Sequence, residues 1–213
     1  MRRLLLALAE RGLYVNSHVE MHVAIDAFLD VYESLNKERP IKGLRWSFSH
    51  LDQVDEVQLE RMKRLGMTAQ IHSRPLIQGA LMHKVHGDKA WDMPPFRRIQ
   101  DSGIHWGLGS DATAVTTSNP FYTLGLAVTG EMIGGTKVNR QTITREEALI
   151  AHTRSNAFFL FQEGNLGSLT PGKYADLLVL DRDYLTVPAG EIKDIRPLLA
   201  MVGGKVVYDA LPK

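Results

Sequence analysis

The sequence predicts an α/β protein in which four strand–helix units make half of an eight-stranded parallel barrel. Short β-type runs alternate with amphipathic helical segments over the first two thirds of the chain, as in parallel sheets. Three of these runs also lead into metal-ligand residues: LYVNSH ends in His18, RWSFSH ends in His50, and GIHWGLGS is followed by Asp111. Parallel barrels carry their chemistry at the C-terminal ends of their strands, so this pattern predicts a hydrolytic site there.

Hydrophobic periodicity and end signals place the elements. A stripe of alanines and large apolar residues follows the first strand, Gly66 ends the second helix, and Thr144 with Glu147 forms a capping box. The long stretch 73–94 is predicted to be irregular. The predicted strands are 13–18, 44–49, 67–72 and 104–109, and the predicted helices are 22–36, 55–65, 95–102, 120–133 and 145–161.

The character of the chain changes after Gly164. Short β segments follow at 175–181 and 199–209, the second with Gly203-Gly204 as its turn. We therefore predict two units, a partial barrel over residues 1–163 and a C-terminal β segment over residues 164–213.

Composition excludes several classes of protein. The chain has 213 residues, 44% of them hydrophobic and 23% charged, and a net charge of +1, as in an ordinary globular protein. Its 25 basic residues are scattered, which argues against a nucleic-acid partner. The apolar run near the N-terminus ends at Glu10, too short for a signal peptide, and no run is long enough to cross a membrane. A cytoplasmic location is expected by default.

Four side chains at predicted strand ends are candidates for a common site: His18, His50, His72 and Asp111. Imidazole and carboxylate groups bind zinc, and a carboxylate can also take a proton from water. Any one of these histidines could be a core or surface residue, and Asp111 could be a turn residue, but their shared register favours a site. His72 could be a substrate contact, a third ligand or an orienting group, and Arg74 is a candidate substrate contact.

Several longer motifs are more specific: FSHLDQV at 48–54, GLGSDA at 107–112, GSLTPGKYADLLVLD at 167–181 and VGGKVVYD at 202–209. On these motifs the chain resembles the C-terminal half of metal-dependent amidohydrolases, in the branch called amidohydrolase family 3, which includes N-substituted formamide deformylases. The resemblance covers nearly the whole chain.

The resemblance implies a fold and a function. Its fold is a distorted (β/α)8 TIM-like barrel beside a small β-sandwich, so this chain is expected to hold the C-terminal half of the barrel and part of the sandwich. By resemblance His18 and His50 are metal ligands of the fifth and sixth strands, and Asp111 is a ligand and the general base and acid. The implied cofactor is a divalent metal, zinc first, and the implied reaction is hydrolysis of a non-peptide carbon–nitrogen bond in a small amide or formamide.

The chain also departs from the family pattern. Met21 and His22 stand where many relatives carry a Gly-Asp pair, and no His-x-His pair is present. We therefore expect an incomplete reading frame, a split gene or a shortened chain. The alternative to an enzyme is a non-catalytic half-barrel that associates with itself as a homo-oligomer or with a missing N-terminal half. The segments Ser73 to Pro94 and Thr113 to Asn119 are expected to border the substrate.

Overall fold

A four-stranded parallel sheet forms the first part of the protein. The computed structural model describes residues 1–112 and 116–212. The strands lie side by side in chain order, with Ser17 opposite Phe48 and Ile71 opposite Leu108. Their C-terminal ends therefore share one edge, as the β–α alternation predicts. The four strands are β1 (Asn16–Val19), β2 (Ser47–His50), β3 (Thr68–Ile71) and β4 (Trp106–Leu108).

Helices follow the strands and cover the sheet. In the longest helix Ile25, Leu29, Tyr32 and Leu35 are buried, and the Tyr32 ring stacks on Phe48 of β2 at 5.2 Å between centroids. The spacing of these residues is that of one helical face turned to the core. The helices are α1 (Arg2–Glu10), α2 (His22–Glu38), α3 (Glu56–Leu65), α4 (Pro75–His86), α5 (Phe96–Ser102), α6 (Pro120–Thr129), α7 (Arg145–His152) and α8 (Arg154–Phe159).

The end signals in the sequence are confirmed. Gly66 ends α3 in the left-handed conformation, with φ +68°, where a side chain would also press on Lys42. Thr144 accepts a hydrogen bond from the Glu147 amide at 3.2 Å, and the Glu147 carboxylate accepts one from the Thr144 amide at 2.8 Å. This reciprocal pair is the predicted capping box.

The prediction that residues 73–94 are irregular is wrong. Helix α4 occupies Pro75–His86 and a 3₁₀ helix occupies Gly87–Asp92. Proline at the first helical position is a favourable start, because its missing N–H would have no helical partner. Leu76 and Met82 are buried, but Leu81 on the outer side is apolar too. With apolar residues on both sides, the segment lacks the amphipathic pattern by which the other helices are predicted.

Two other helices end earlier than predicted. Helix α6 stops at Thr129 because Gly130 adopts φ +73°, and a side chain there would collide with the carbonyl of Asn139. The helix predicted over 145–161 is divided at Thr153, whose φ of −120° and ψ of −83° lie outside the helical region. The Thr153 hydroxyl donates to the Leu149 carbonyl at 2.6 Å.

An antiparallel sheet follows, as the change of character after Gly164 predicts. Its strands are β5 (Leu177–Leu180), β6 (Pro197–Val202) and β7 (Lys205–Asp209), in that spatial order. Gly203 and Gly204 join β6 to β7 with φ values of +57° and +78°. Two successive positive φ angles are the requirement of a type I′ hairpin turn, which explains the glycine pair.

The segment between β5 and β6 packs on the first part of the protein. Tyr184, Val187, Ile192 and Ile195 belong to the main hydrophobic core. The division of the chain between residues 163 and 164 stays a prediction. Among residues 1–112 and 116–212, no helix combines the length and apolar character needed to cross a membrane.

Helix α8 packs against β4, the last strand of the parallel sheet. The Asn156 amide donates to the Leu108 carbonyl of β4 at 2.9 Å. A side chain at Gly107 would collide with the Asn156 side-chain oxygen and lie 2.8 Å from the Phe159 ring. Glycine is therefore required for helix and strand to approach this closely.

We expect Gly107→Ala to lower the free energy of unfolding by about 1–3 kcal/mol, the usual cost of overpacking. Urea unfolding followed by circular dichroism measures this. Gly134→Ala is the matched control, because a methyl group at Gly134 meets only open space. Equal unfolding free energies for the two variants would contradict the packing argument.

Candidate metal centre

Four predicted side chains meet at the C-terminal edge of the parallel sheet. His18 lies in β1, His50 is the last residue of β2, His72 follows β3, and Asp111 comes three residues after β4. Because the strands are parallel and adjacent, residues far apart in sequence become neighbours here.

His50 is the centre of the group. Its ring lies 4.2 Å from that of His18 and 4.4 Å from that of His72, between centroids. The Nδ1 atoms of His50 and His72 are 3.0 Å apart, and Nδ1 of His72 is 3.8 Å from Oδ2 of Asp111. Nε2 of His18 lies 3.2 Å from Oε1 of Glu20.

The predicted ligands do not all fall into one group. Among the residues that the structure describes, two sets of donor atoms lie within 4.8 Å of one another: His18, Glu20 and His50, and His50, His72 and Asp111. His18 and Asp111 thus belong to different sets that share His50. The His18 side chain is 68% exposed, whereas that of His72 is 4% exposed.

The backbone at two of these positions is unusual. His50 has φ +78° and Asp111 has φ +55°, in the left-handed region that few residues other than glycine adopt. Leu51 continues the turn with φ +56°, and its amide donates to the Val19 carbonyl at 2.9 Å. This turn ends β2 and is followed directly by the buried Asp52. Such strained positions concentrate at functional sites.

Asp52 is a site residue that the sequence reasoning missed. Its side chain is 2% exposed, and Oδ1 accepts a hydrogen bond from Nε2 of His72 at 2.9 Å. Its other oxygen lies 3.3 Å from the guanidinium of Arg74, which also binds Glu20 at 3.0 Å. A carboxylate so placed, next to a candidate histidine ligand, is a common supporting arrangement in metal sites. The FSHLDQV motif contains this residue, and that was its only signal in the sequence.

These contacts show where the two predicted substrate residues lie. The Arg74 guanidinium is engaged by Glu20 and Asp52, and both ring nitrogens of His72 have partners, Asp52 and His50. A direct substrate role for either residue stays a prediction.

The surroundings lower the pKa values of two site residues, which keeps His50 neutral and Glu20 ionised. Burial, with the neighbouring His72 and His18, lowers the pKa of His50 to about 4. His50 is therefore a neutral imidazole at neutral pH, the form that binds metals. Hydrogen bonding to Arg74 lowers the pKa of Glu20 to about 2, against the opposing effect of burial, so that Glu20 is ionised.

A cleft of about 290 Å³ opens beside the group. Part of the loop expected to border it, residues 113–115, lies outside the described residues. The cleft is polar on several sides and is lined by Asn16, Ser49, His50, Gln70, Ile71, His72, Gly107, Leu108, Gly109, Asp111 and Asn156.

A larger cleft of about 410 Å³ lies between α3 and α5. Its arginines are already paired, Arg98 with Glu56 and Arg97 with Glu147, and it has no histidine in its lining. The chemistry therefore points to the smaller cleft.

The donor set fits a divalent metal ion. Two nitrogen ligands of a tetrahedral zinc ion, each about 2.0–2.1 Å from it, lie about 3.3 Å apart. The 3.0 Å between the Nδ1 atoms of His50 and His72 is close to that separation. If each histidine is counted as neutral, the carboxylates of Glu20, Asp52 and Asp111 and the guanidinium of Arg74 give a formal charge of −2, which a divalent cation balances.

Fold and site together define a class: a partial parallel β/α barrel with histidines and a carboxylate at its strand ends. A model of the amidohydrolase family matches residues 1–208. The chain belongs to the amidohydrolase family, and its resemblance to amidohydrolase family 3 is confirmed.

A curated relative agrees with this. The chain is 28% identical over 204 residues to an N-substituted formamide deformylase of Arthrobacter pascens. The aligned region covers 93% of this chain and 37% of that enzyme. The chain thus spans little more than a third of the length of that enzyme.

Solved structures give the same fold. A structure described as a metal-dependent hydrolase of Pyrococcus horikoshii matches with a TM-score of 0.70 and 25% identity, over 89% of this chain and 39% of that one. A variant of atrazine chlorohydrolase from Arthrobacter aurescens matches with a TM-score of 0.69 and 20% identity, over 99% of this chain and 48% of that one. The predicted fold class, half of a TIM-like barrel with part of a β-sandwich, is confirmed.

We expect the metal-free chain to lose stability as the pH falls from 7 to 5. In this range the unfolded chain protonates its histidines near pH 6.5, while His50, with its pKa near 4, stays neutral in the folded chain. Burial lowers the pKa of His152 as well, so it contributes in the same direction. Urea unfolding in the presence of a chelator measures the effect.

His50→Gln should make this loss smaller, leaving the part due to His152. His86→Gln, in the last turn of α4, is the matched control. If His50→Gln loses as much unfolding free energy between pH 7 and pH 5 as the wild type does, the assignment of this pH dependence to His50 is contradicted.

Proposed function

We propose that this chain carries the C-terminal part of a metal-dependent amidohydrolase active site. The observation that supports this most directly is the meeting of three imidazoles and a carboxylate at the C-terminal edge of the sheet, in a chain of the amidohydrolase family. The proposed reaction is hydrolysis of a non-peptide carbon–nitrogen bond in a small amide or formamide. The formamide deformylase among the relatives supports this substrate class.

The proposed cofactor is a divalent metal, with zinc as the first candidate, and the proposed ligands are His18, His50 and Asp111, of which His50 belongs to both donor sets. Neutral imidazole and carboxylate groups suit zinc and several other divalent ions. A divalent ion held by these residues would polarise the substrate carbonyl and make a bound water more acidic.

The residues of the chain have separate parts in this reaction. His50 lies neutral between the two donor sets and can offer a lone pair without first losing a proton. Asp111, with a 38% exposed side chain at the cleft, is the proposed general base. Its carboxylate takes the proton of the attacking water and then gives it to the leaving nitrogen.

We propose that the site is completed by protein outside this chain, either the remaining part of a longer protein or a partner subunit. The coverage of 37% of the formamide deformylase supports this, as does the exposed position of His18 at the first strand of the sheet. Homo-oligomerisation and a cytoplasmic location stay predictions.

The metal content of the purified chain tests this proposal. We expect about one ion per chain after reconstitution with zinc and gel filtration, measured by elemental analysis. His50→Ala should abolish retention because His50 belongs to both donor sets. His86→Ala is the matched control, because it removes a histidine at the end of α4 that belongs to neither donor set.

A metal content no higher than background in the reconstituted wild type would contradict the proposed centre and favour a non-catalytic half-barrel. Metal retained equally by His50→Ala and wild type would also contradict it. Hydrolysis of N-substituted formamides by the metal-loaded chain then tests the substrate class separately.

A further inference from the structure

We propose that Asn16 and Gln70 form a binding subsite for a secondary amide group in the cleft beside the candidate metal centre. Both residues line this cleft of about 290 Å³. The inference rests on the proposed function for the origin of the amide, which is the substrate, and it names the group that the substrate presents here. The binding itself needs no metal ion.

One face of the parallel sheet carries hydrogen-bonding side chains where a barrel interior is normally filled by branched apolar ones. Phe48 of β2 packs against α2, so Ser47 and Ser49 point to the opposite face, here called the inner face. One connected network of hydrogen bonds spans the inner face from β1 to β3. Its members are Tyr14, Asn16, Ser47, Ser49 and Gln70.

The two serine hydroxyls decide how the Asn16 amide is turned. Oγ of Ser49 lies 2.6 Å and Oγ of Ser47 lies 3.1 Å from Oδ1 of Asn16. A separation of 2.6 Å is typical of O–H···O hydrogen bonds and too short for N–H···O, so the bonded atom is the carbonyl oxygen. Both hydroxyls therefore donate to Oδ1. Nδ2 of Asn16 forms no hydrogen bond with any residue that the structure describes, and it is a free donor.

The Gln70 amide is turned the opposite way. Its Nε2 donates to Oγ of Ser47 at 3.0 Å and to the hydroxyl of Tyr14. Because Ser47 gives its only hydrogen to Asn16, its oxygen accepts from Gln70 and from the Tyr14 phenol, 2.7 Å away. Burial raises the pKa of Tyr14, which keeps the phenol protonated and able to donate. Oε1 of Gln70 has no partner in the described part of the chain and is a free acceptor.

The cleft thus presents one free donor and one free acceptor, each set by the same network. Both amides are anchored on a single hydroxyl, that of Ser47. A secondary amide carries the complementary pair, a carbonyl oxygen for Nδ2 of Asn16 and an N–H for Oε1 of Gln70. Groups that are oriented before the ligand arrives lose less conformational freedom on binding.

The subsite adjoins the candidate metal centre. Asn16 lies two residues before His18 on β1, and Ser49 directly precedes His50 on β2. Residues two apart on a strand share a face and lie about 7 Å apart. An amide bound here therefore lies in the same cleft as His50 and Asp111.

A purely structural role explains the network but not its two free atoms. Side chains that only tie three strands together need no particular outward group. An amide donor and an amide acceptor left unpaired are costly once the cleft excludes water. A ligand with the complementary groups removes this cost.

Titration of the 213-residue chain with N-methylformamide, in chelator and followed by NMR, tests the subsite. We expect saturable shifts of the side-chain amide resonances of Asn16 and Gln70. The Kd should be at least about fivefold lower than for N,N-dimethylformamide, which keeps the carbonyl but lacks the N–H, because one hydrogen bond is lost. This comparison needs no variant.

Two variants separate the two contacts. Asn16→Asp keeps an oxygen for both serine hydroxyls but replaces the free donor by an acceptor, so the Kd for both formamides should rise at least about fivefold. Gln70→Met removes the free acceptor at similar length and should abolish the preference for N-methylformamide. Asn165→Asp is the matched control, since Asn165 lies outside the cleft and its amide donates to Gln162. Urea unfolding shows which variants are folded.

The outcomes distinguish this inference from the proposed function. No saturable shift at Asn16 and Gln70 overturns the subsite, whatever the metal content of the chain. Equal affinity of the wild type for the two formamides overturns the role of Gln70, and unchanged affinity in folded Asn16→Asp overturns that of Asn16. Amide binding in a chain that retains no metal supports the subsite and contradicts the proposed metal centre.

Discussion

The buried charge of Asp52 is the constraint on which the candidate site depends. A carboxylate with a 2% exposed side chain requires compensation, which the Arg74 guanidinium and the Nε2–H of His72 provide. Arg74 is also bound by the carboxylate of Glu20. Contacts that start from this one buried charge therefore connect side chains just after β1, in the turn after β2 and just after β3. The imidazole of His72 is oriented as a consequence.

The parallel sheet makes this network possible because it brings the strand ends to one edge. The left-handed turn at His50 and Leu51 ends β2, and Asp52 follows it directly. At the other end of the sheet, Gly107 lets Asn156 approach and bond the Leu108 carbonyl. A backbone group of the last strand is thus satisfied by a side chain, and β4 is held in the position from which the loop to Asp111 begins.

Much of this could be predicted from the sequence because the signals were local. His18, His50 and Asp111 stand directly after β-type runs, and Thr144 with Glu147 is a local pair, so spacing alone placed them. Asp52 could not be placed in this way, because its partners His72 and Arg74 are 20 and 22 residues away and meet it only in the folded chain. Helix α4 was missed because apolar residues on both of its sides remove the periodic signal.

The charge balance of the site explains why its donors suit a cation. Glu20, Asp52 and Asp111 lie around a single guanidinium, and the low pKa of His50 keeps that imidazole neutral. Protonating His50 would be one way to offset the excess negative charge, but burial and the adjacent imidazoles oppose it. A divalent cation offsets the same charge and uses the lone pairs that the imidazoles keep. The low pKa of His50 thus keeps that imidazole in the neutral form that binds metal ions.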